Sequence, residues 1–203
     1  MSKVVVFTNL SLDGVMQAPG RPDEDRRGGF EHGGWAAPYA AMTSAGRSIA
    51  TNGALLLGRR TYEDFYSVWP NRTDNPFTAV LNNIQKYVAS TTLSEPLSWS
   101  NSTLLKGDAA EAVARLKQEP GKDLLVMGSG VLVQSLMRRN LVDEYVLLIH
   151  PLILGSGRRL FPDGGAFAAL RLVDSKTTTT GVVIATYQPD EPTARKNSGA
   201  ATP

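Results

Sequence analysis

The segment Lys122–Arg139, KDLLVMGSGVLVQSLMRR, constrains this chain more than any other. Leu124–Met127 is a short unbroken apolar run, the pattern of a strand buried on both faces. Gly128-Ser129-Gly130 follows without a gap. Val131, Leu132, Ser135 and Leu136 then recur at helical spacing, and Arg138-Arg139 fall in the last turn, where the helix dipole favours cations. Strand, glycine turn and helix in that order leave backbone N–H groups free at a helix N-terminus. That is an anion site, suited to a diphosphate. Glycine has no Cβ, so the backbone can approach a ligand closely there. The same residues also fit a plain tight turn, so the rest of the chain must decide.

A second junction of the same kind lies upstream. Ala54–Leu57 is an apolar run, Gly58-Arg59-Arg60-Thr61-Tyr62 follows, and Glu63–Val68 reads as a short helix; the two arginines add positive charge. Further strands are predicted over Val4–Asn9, Tyr87–Ala89, part of Ser98–Leu105 and Tyr145–Ile149, and finally over Phe167–Ser175 and over Thr177–Tyr187, the last rich in β-branched residues at Thr177–Thr180 and Val182–Thr186. Helices are predicted over Tyr39–Thr51, with Gly53 as its cap, and over Ala109–Gln118, capped by Asp108 with Glu111 at the third position. Asn71–Phe77 reads as a loop. Gln17–Trp35 is polar, aperiodic and too long for an ordinary connector, which marks it as a functional loop.

The element order predicts an α/β domain with a mixed, mostly parallel central sheet flanked by helices, and antiparallel strands at its C-terminal edge. Residues 1–188 form that domain, and residues 189–203, almost free of large apolar side chains, read as a disordered tail. In such sheets ligands sit beyond the carboxyl ends of the strands. Asp13, Arg59, the Ser90–Thr92 hydroxyls and Gly128–Gly130 each follow a predicted strand, so they are expected to converge on one cleft.

Composition bounds the chemistry. The net charge of +2 is small and the arginine pairs are scattered, which argues against a nucleic-acid partner. Cysteine is absent, which removes disulfides and thiolate chemistry. The two histidines have no ligand-spaced partner, so no metal site is expected. The N-terminal apolar run is too short for a secretion signal and no run reaches membrane-spanning length; a soluble cytoplasmic protein is the expectation.

Several segments together resemble a known superfamily. Leu56–Tyr62 is similar to the Gly-Arg-x-Thr segment of dihydrofolate reductases, and Val126–Gly130 to their Gly-Gly-Gly turn. Ser11-Leu12-Asp13-Gly14 resembles the reductase domain of the bifunctional riboflavin-biosynthesis deaminase–reductase. Pro151–Phe161 is similar to the segment that marks the stand-alone members. The resemblance implies a dihydrofolate-reductase-like fold, NADPH as cofactor and commonly a homodimer. It places Gly58, Arg59 and Thr61, Ser90 and Thr91, and Gly128, Ser129 and Gly130 around the phosphates and diphosphate of NADPH. It also implies reduction of a small heterocyclic or carbonyl substrate, the pyrimidine reduction of riboflavin synthesis being the best-defined activity. Two departures stand out. The helix predicted before the Gly-Arg-x-Thr strand offers no carboxylate, which argues against folate, and the deaminase half is missing. A nucleotide-binding regulator or sensor without turnover is the alternative reading.

For catalysis, Asp13 is the first candidate as a substrate-facing acid; its Asp-Gly pair is equally a turn signal. Trp35 and Tyr39 are candidates to stack on a ring substrate, against the commoner fate of core packing. His150, before a proline at a strand end, is either an acid or substrate ligand or a hydrogen-bonded structural residue. Glu31 and His32 lie in the long loop. Arg158 and Arg159 form a cationic glycine loop that suits either a substrate phosphate or a dimer interface.

Overall fold

The structure, a computed structural model, describes residues 1–39, 53–75, 77–165 and 167–190. The helix predicted over Tyr39–Thr51, apart from Tyr39, and the tail from residue 191 lie outside them.

The described strands form one eight-stranded sheet: β1 (Val4–Ser11), β2 (Ala54–Gly58), β3 (Lys86–Ala89), β4 (Ser102–Leu105), β5 (Leu124–Met127), β6 (Glu144–His150), β7 (Leu170–Thr177) and β8 (Val183–Pro189). Their spatial order is β4-β3-β2-β5-β1-β6-β8-β7. The pairings from β4 through to β6 are parallel, and β8 runs antiparallel to both β6 and β7. Four α-helices are described: α1 (Arg59–Val68), α2 (Phe77–Asn83), α3 (Ala109–Gln118) and α4 (Gly130–Arg138). The predicted mixed α/β architecture is the one observed.

The sheet is buried on both sides because its central strands alternate between two cores. Val4, Val6, Leu124 and Val126 pack with Val113 of α3 and Leu136 of α4. Val5, Leu55, Leu57 and Leu125 pack with Tyr62 of α1 and Leu81 of α2 on the other face. Continuous apolar runs in β2 and β5 are what that double burial requires.

Asp108 caps α3 as expected, its Oδ1 accepting from the Ala110 and Glu111 N–H groups at 2.8 and 3.1 Å. Three boundaries differ from expectation. Helix α1 begins at Arg59, directly after its strand, which puts Thr61 in the first helical turn. Helix α2 replaces an unassigned stretch: Phe77, Leu81 and Ile84 recur at helical spacing and are all buried. Thr178–Gly181 is the hairpin turn between the last two strands rather than part of the final strand, closed by the Gly181 N–H on Thr178 O at 3.0 Å.

Strand β3 opens on a buried cation. Lys86 is fully buried, and its Nζ donates to Leu81 O and Ile84 O, both at 2.8 Å, with Asn82 O at 3.4 Å. The ammonium also lies 4.5 Å from the centre of a Trp99 ring. It thereby satisfies the last carbonyls of α2, where the dipole favours a cation.

Candidate active site

The parallel strands all point their carboxyl ends the same way, and register lines those ends up. Leu56 of β2 pairs with Val126 of β5, Gly58 with Ala89 of β3, and Phe7 of β1 with Met127 of β5. The residues just beyond are Arg59, Ser90 and Gly128. They share the wall of one large cleft of about 1650 Å³.

At one end of this cleft two helix N-termini are tied together. Gly128 (φ +58°) and Ser129 (φ +55°) are both left-handed, so the chain turns tightly out of β5 into α4. That turn aims the Ser129 hydroxyl away from its own helix. Its Oγ accepts from the Gly58 N–H at 2.9 Å and donates to Thr61 Oγ1 at 2.9 Å. Neither α1 nor α4 has a side-chain cap on its first amides. The first turns of two helices therefore face the cleft side by side, with Arg59 and Arg60 on its wall. Arg59 is engaged one turn on with Glu63, at 2.9 Å. Ser90 shapes its own turn by accepting from the Thr92 and Leu93 N–H groups at 3.1 and 3.0 Å, while Thr91 and Thr92 line the cleft. Paired helix N-termini with cations and hydroxyls around them suit a diphosphate-bearing ligand.

The long loop predicted to be functional forms the opposite wall. It has a core of its own, in which Val15, Ala18, Phe30, Trp35 and Ala36 pack with Leu152 and Leu154. Gln17 anchors it: its Nε2 donates to Asp25 O and Arg27 O, at 3.1 and 2.9 Å, and the Trp35 Nε1–H donates to Gln17 O at 2.7 Å. The loop reaches α1 through Arg21, which forks onto both carboxylate oxygens of Asp64, at 2.5 and 3.4 Å. Glu24 folds back onto the Gly20 and Arg21 N–H groups at 2.7 and 3.1 Å, and burial pushes its carboxyl above the usual range. Gln17, Arg21 and Glu24 had no periodic or motif signal in the sequence.

The deep end holds His150, at the last position of β6 and in register with Ser11. It is 3% exposed and lines the cleft. Its Nε2 lies within hydrogen-bond distance of Asn9 Oδ1, at 2.9 Å, and its Nδ1 is buried with no partner among the described residues. Burial lowers its pKa, so the ring is neutral at pH 7. A neutral ring on the cleft wall argues against the predicted acid, and the one ring nitrogen without a partner is itself enclosed. Asn9, beside it on the cleft wall, was not foreseen. Tyr39 lines the cleft and meets His150 edge-on, with ring centres 5.4 Å apart. Trp35 is a correction. It is buried in the loop core and packs edge-on behind His150, at 5.2 Å, rather than on the cleft wall, because its ring and N–H are both used to close the loop. Glu31 and His32 lie on the exposed part of that loop.

Asp13 is also corrected. Its carboxylate accepts from the Ser11 hydroxyl at 2.6 Å and from the Leu154 and Gly155 N–H groups at 3.1 and 2.9 Å. Those bonds, the Ser11 hydroxyl first, hold its pKa down to about 2. It is ionised at neutral pH, has no proton to give, and does not line the cleft. Its Asp-Gly turn ties β1 to the 154–155 loop.

Among the described residues, no group of three or more acidic or histidine side chains is placed to hold a metal, and no helix is long and apolar enough to cross a membrane.

The architecture is that of the dihydrofolate reductase-like class. The chain belongs to the RibD C-terminal domain family, whose model matches residues 2–184. Among its relatives, protein YyaP of Bacillus subtilis (strain 168), of uncharacterized function, is 31% identical over 138 residues, 66% of this chain and 72% of that protein. A Shewanella sp. PV-4 protein named for riboflavin biosynthesis shares the fold with a TM-score of 0.69 at 22% identity, covering 94% of this chain and all of the other. Dihydrofolate reductase of Enterococcus faecalis, solved with NADP(H), gives a TM-score of 0.57 at 12% identity over 93% and 97% of the two chains.

Proposed function

We propose that this protein is an NADPH-dependent oxidoreductase acting on a small heterocyclic or carbonyl substrate, in the manner of the reductases that reduce 5-amino-6-(5-phosphoribosylamino)uracil in riboflavin biosynthesis. Family membership supports a reductase. The observation that carries the dinucleotide is the Ser129 hydroxyl, which holds two uncapped helix N-termini together at one end of a large cleft. Gly58, Arg59, Thr61, Gly128, Ser129 and Gly130 would hold the diphosphate, with Ser90 and Thr91 toward the adenosine phosphate. When bound, the nicotinamide would supply hydride. The chain's own residues orient the acceptor and exclude water: the loop wall pinned by Arg21 to Asp64 covers the cleft, and Tyr39 and His150 flank the substrate. The protein is expected to work in the cytoplasm.

The withdrawal of Asp13 from the cleft favours a second reading, an NADPH-binding sensor without turnover. Titration with NADPH, followed by nicotinamide fluorescence and by thermal shift, tests the shared premise; saturable binding is expected, and no response ends both readings. Oxidation of NADPH by any member of a heterocycle and carbonyl panel then selects the enzyme.

A homodimer is proposed on the exposed terminal hairpin. Leu172 and Val173 of β7 and Val183 of β8 are all more than a third exposed, and Phe167 just before them is 93% exposed. Light scattering should return twice the chain mass, and Leu172→Lys combined with Val173→Lys should halve it.

A further inference from the structure

The cationic glycine loop Gly155–Arg159 has no role so far, and the structure treats its two arginines differently. Arg159 is spent: its Nε donates to Asp13 O at 2.9 Å and its guanidinium lies 3.8 Å from the Asp13 carboxylate. Arg158 is an exposed cation on the cleft wall; its guanidinium makes no hydrogen bond or close ion pair among the described residues, and its charge reaches Asp25 only at longer range, as one of several influences holding that carboxyl below the usual range.

The backbone that carries Arg158 is held unusually firmly for a loop. Its N–H donates to Gln17 Oε1 at 2.9 Å, and its carbonyl accepts from the Met16 N–H at 2.9 Å. Asp13 clamps the start of the loop at Leu154 and Gly155. Gly157 sits at φ +117°, where a Cβ would lie 2.7 Å from Val15 and 2.8 Å from Phe30, so the path into Arg158 is fixed by the loop core. The same connections place the loop against the first turns of α4. The Met16 sulfur lies against Gly130, close enough that a Cβ there would be 2.6 Å from it, and Gln134 Nε2 donates to Arg159 O and Leu160 O, both at 3.2 Å. Gly130, Val131, Gln134 and Arg158 all line the cleft.

We propose that Arg158 is a ligand of the dinucleotide diphosphate, facing the N-terminus of α4 across it, and that Asp13 and Gln17 are positioning residues that hold its loop. This rests on the dinucleotide reading above. It gives Asp13 a role without a proton: the carboxylate orders a loop whose cation meets the diphosphate. It also separates the two arginines, which the sequence left equivalent. A guanidinium suits the task because its forked donors match phosphate oxygens, and an exposed arginine gives up little hydration in reaching them.

The test is calorimetric titration of the intact protein with NADPH and, separately, with NADH. The variants are Arg158→Ala, Arg158→Lys and Arg138→Ala, the last removing one positive charge from the far end of α4. Arg158→Ala should raise Kd about 10- to 100-fold for both nucleotides, the range for loss of charge-assisted bonds. Arg158→Lys should recover part of that loss. Arg138→Ala should change Kd less than about threefold, as a screened distant charge does. Thermal melting should show Arg158→Ala folded with little change, since the side chain is exposed. A loss confined to NADPH would overturn the assignment in favour of the 2′-phosphate. An effect of Arg158→Ala no larger than that of Arg138→Ala would overturn it outright. If the unaltered protein binds neither nucleotide, the assignment falls together with the proposed function; if it binds and Arg158→Ala is silent, only the assignment falls.

Discussion

Ser129→Asp should abolish NADPH binding while leaving the protein folded. The backbone at Ser129 is left-handed, at φ +55° and ψ +44°, a conformation that aspartate accepts more readily than most residues. Its carboxylate would still accept from the Gly58 N–H and from the Thr61 hydroxyl, the two groups that the serine now joins. A negative charge at the N-termini of α1 and α4 stabilises both helices. It also occupies the place proposed for the diphosphate. Two unit charges about 4 Å apart repel by about 4 kcal/mol at an effective dielectric of 20, which corresponds to roughly three orders of magnitude in Kd. A loss of at least 100-fold is therefore expected, with an unchanged or higher Tm. Ser129→Ala, which removes only the hydroxyl link, should cost about tenfold. Binding by Ser129→Asp within threefold of the unaltered protein would remove the diphosphate from this end of the cleft.

Lys86→Met should be the most damaging conservative change outside the cleft. Methionine keeps the length of the side chain but strands the Leu81 and Ile84 carbonyls in a dry site beside Trp99. Stranding buried acceptors that had a charged donor costs about 2–4 kcal/mol, or roughly 5–15 °C in Tm for a chain of this size. The effect also has a pH signature. Burial lowers Lys86 from 10.5 to about 8. Between those values the unfolded chain still holds a proton that the folded chain has released, so this group's contribution to stability rises with pH across that window. Below pH 8 both states hold the proton and the slope vanishes. The stability gap between the unaltered protein and Lys86→Met should therefore widen from pH 7.5 to pH 10 in urea denaturation. A gap that stays flat over that interval, and narrows only above about pH 10.5, would mean that the carbonyls and the Trp99 ring hold the ammonium charged, and that burial is not the controlling influence.

These two residues mark where the chain's local pattern was and was not legible. The Leu124–Arg138 unit could be read directly, because a double-buried strand, a glycine turn and an amphipathic helix each leave a short-range signature. Ser129 came with it as one member of a glycine turn. Lys86 left no such trace: a lysine opening a strand looks like an ordinary exposed cation. Its burial depends on the end of α2 and on Trp99, thirteen residues further along the chain. Asp13 misled for the same reason. A carboxylate after a strand end matches both an acid and a turn, and the choice was made by the amides of Leu154 and Gly155, far away in sequence.

The sequence alone determined the class of fold and the two strand–glycine–helix junctions, since periodicity, glycine placement and capping act over a few residues. Tertiary structure decided what each polar side chain does. It put Trp35 behind His150, withdrew Asp13 from the cleft, left Arg158 on its wall, and set Arg21 against Asp64. A polar group's role is fixed by where its hydrogen-bond partners lie, and here those partners come from segments that only the closed sheet and its packed loops bring together.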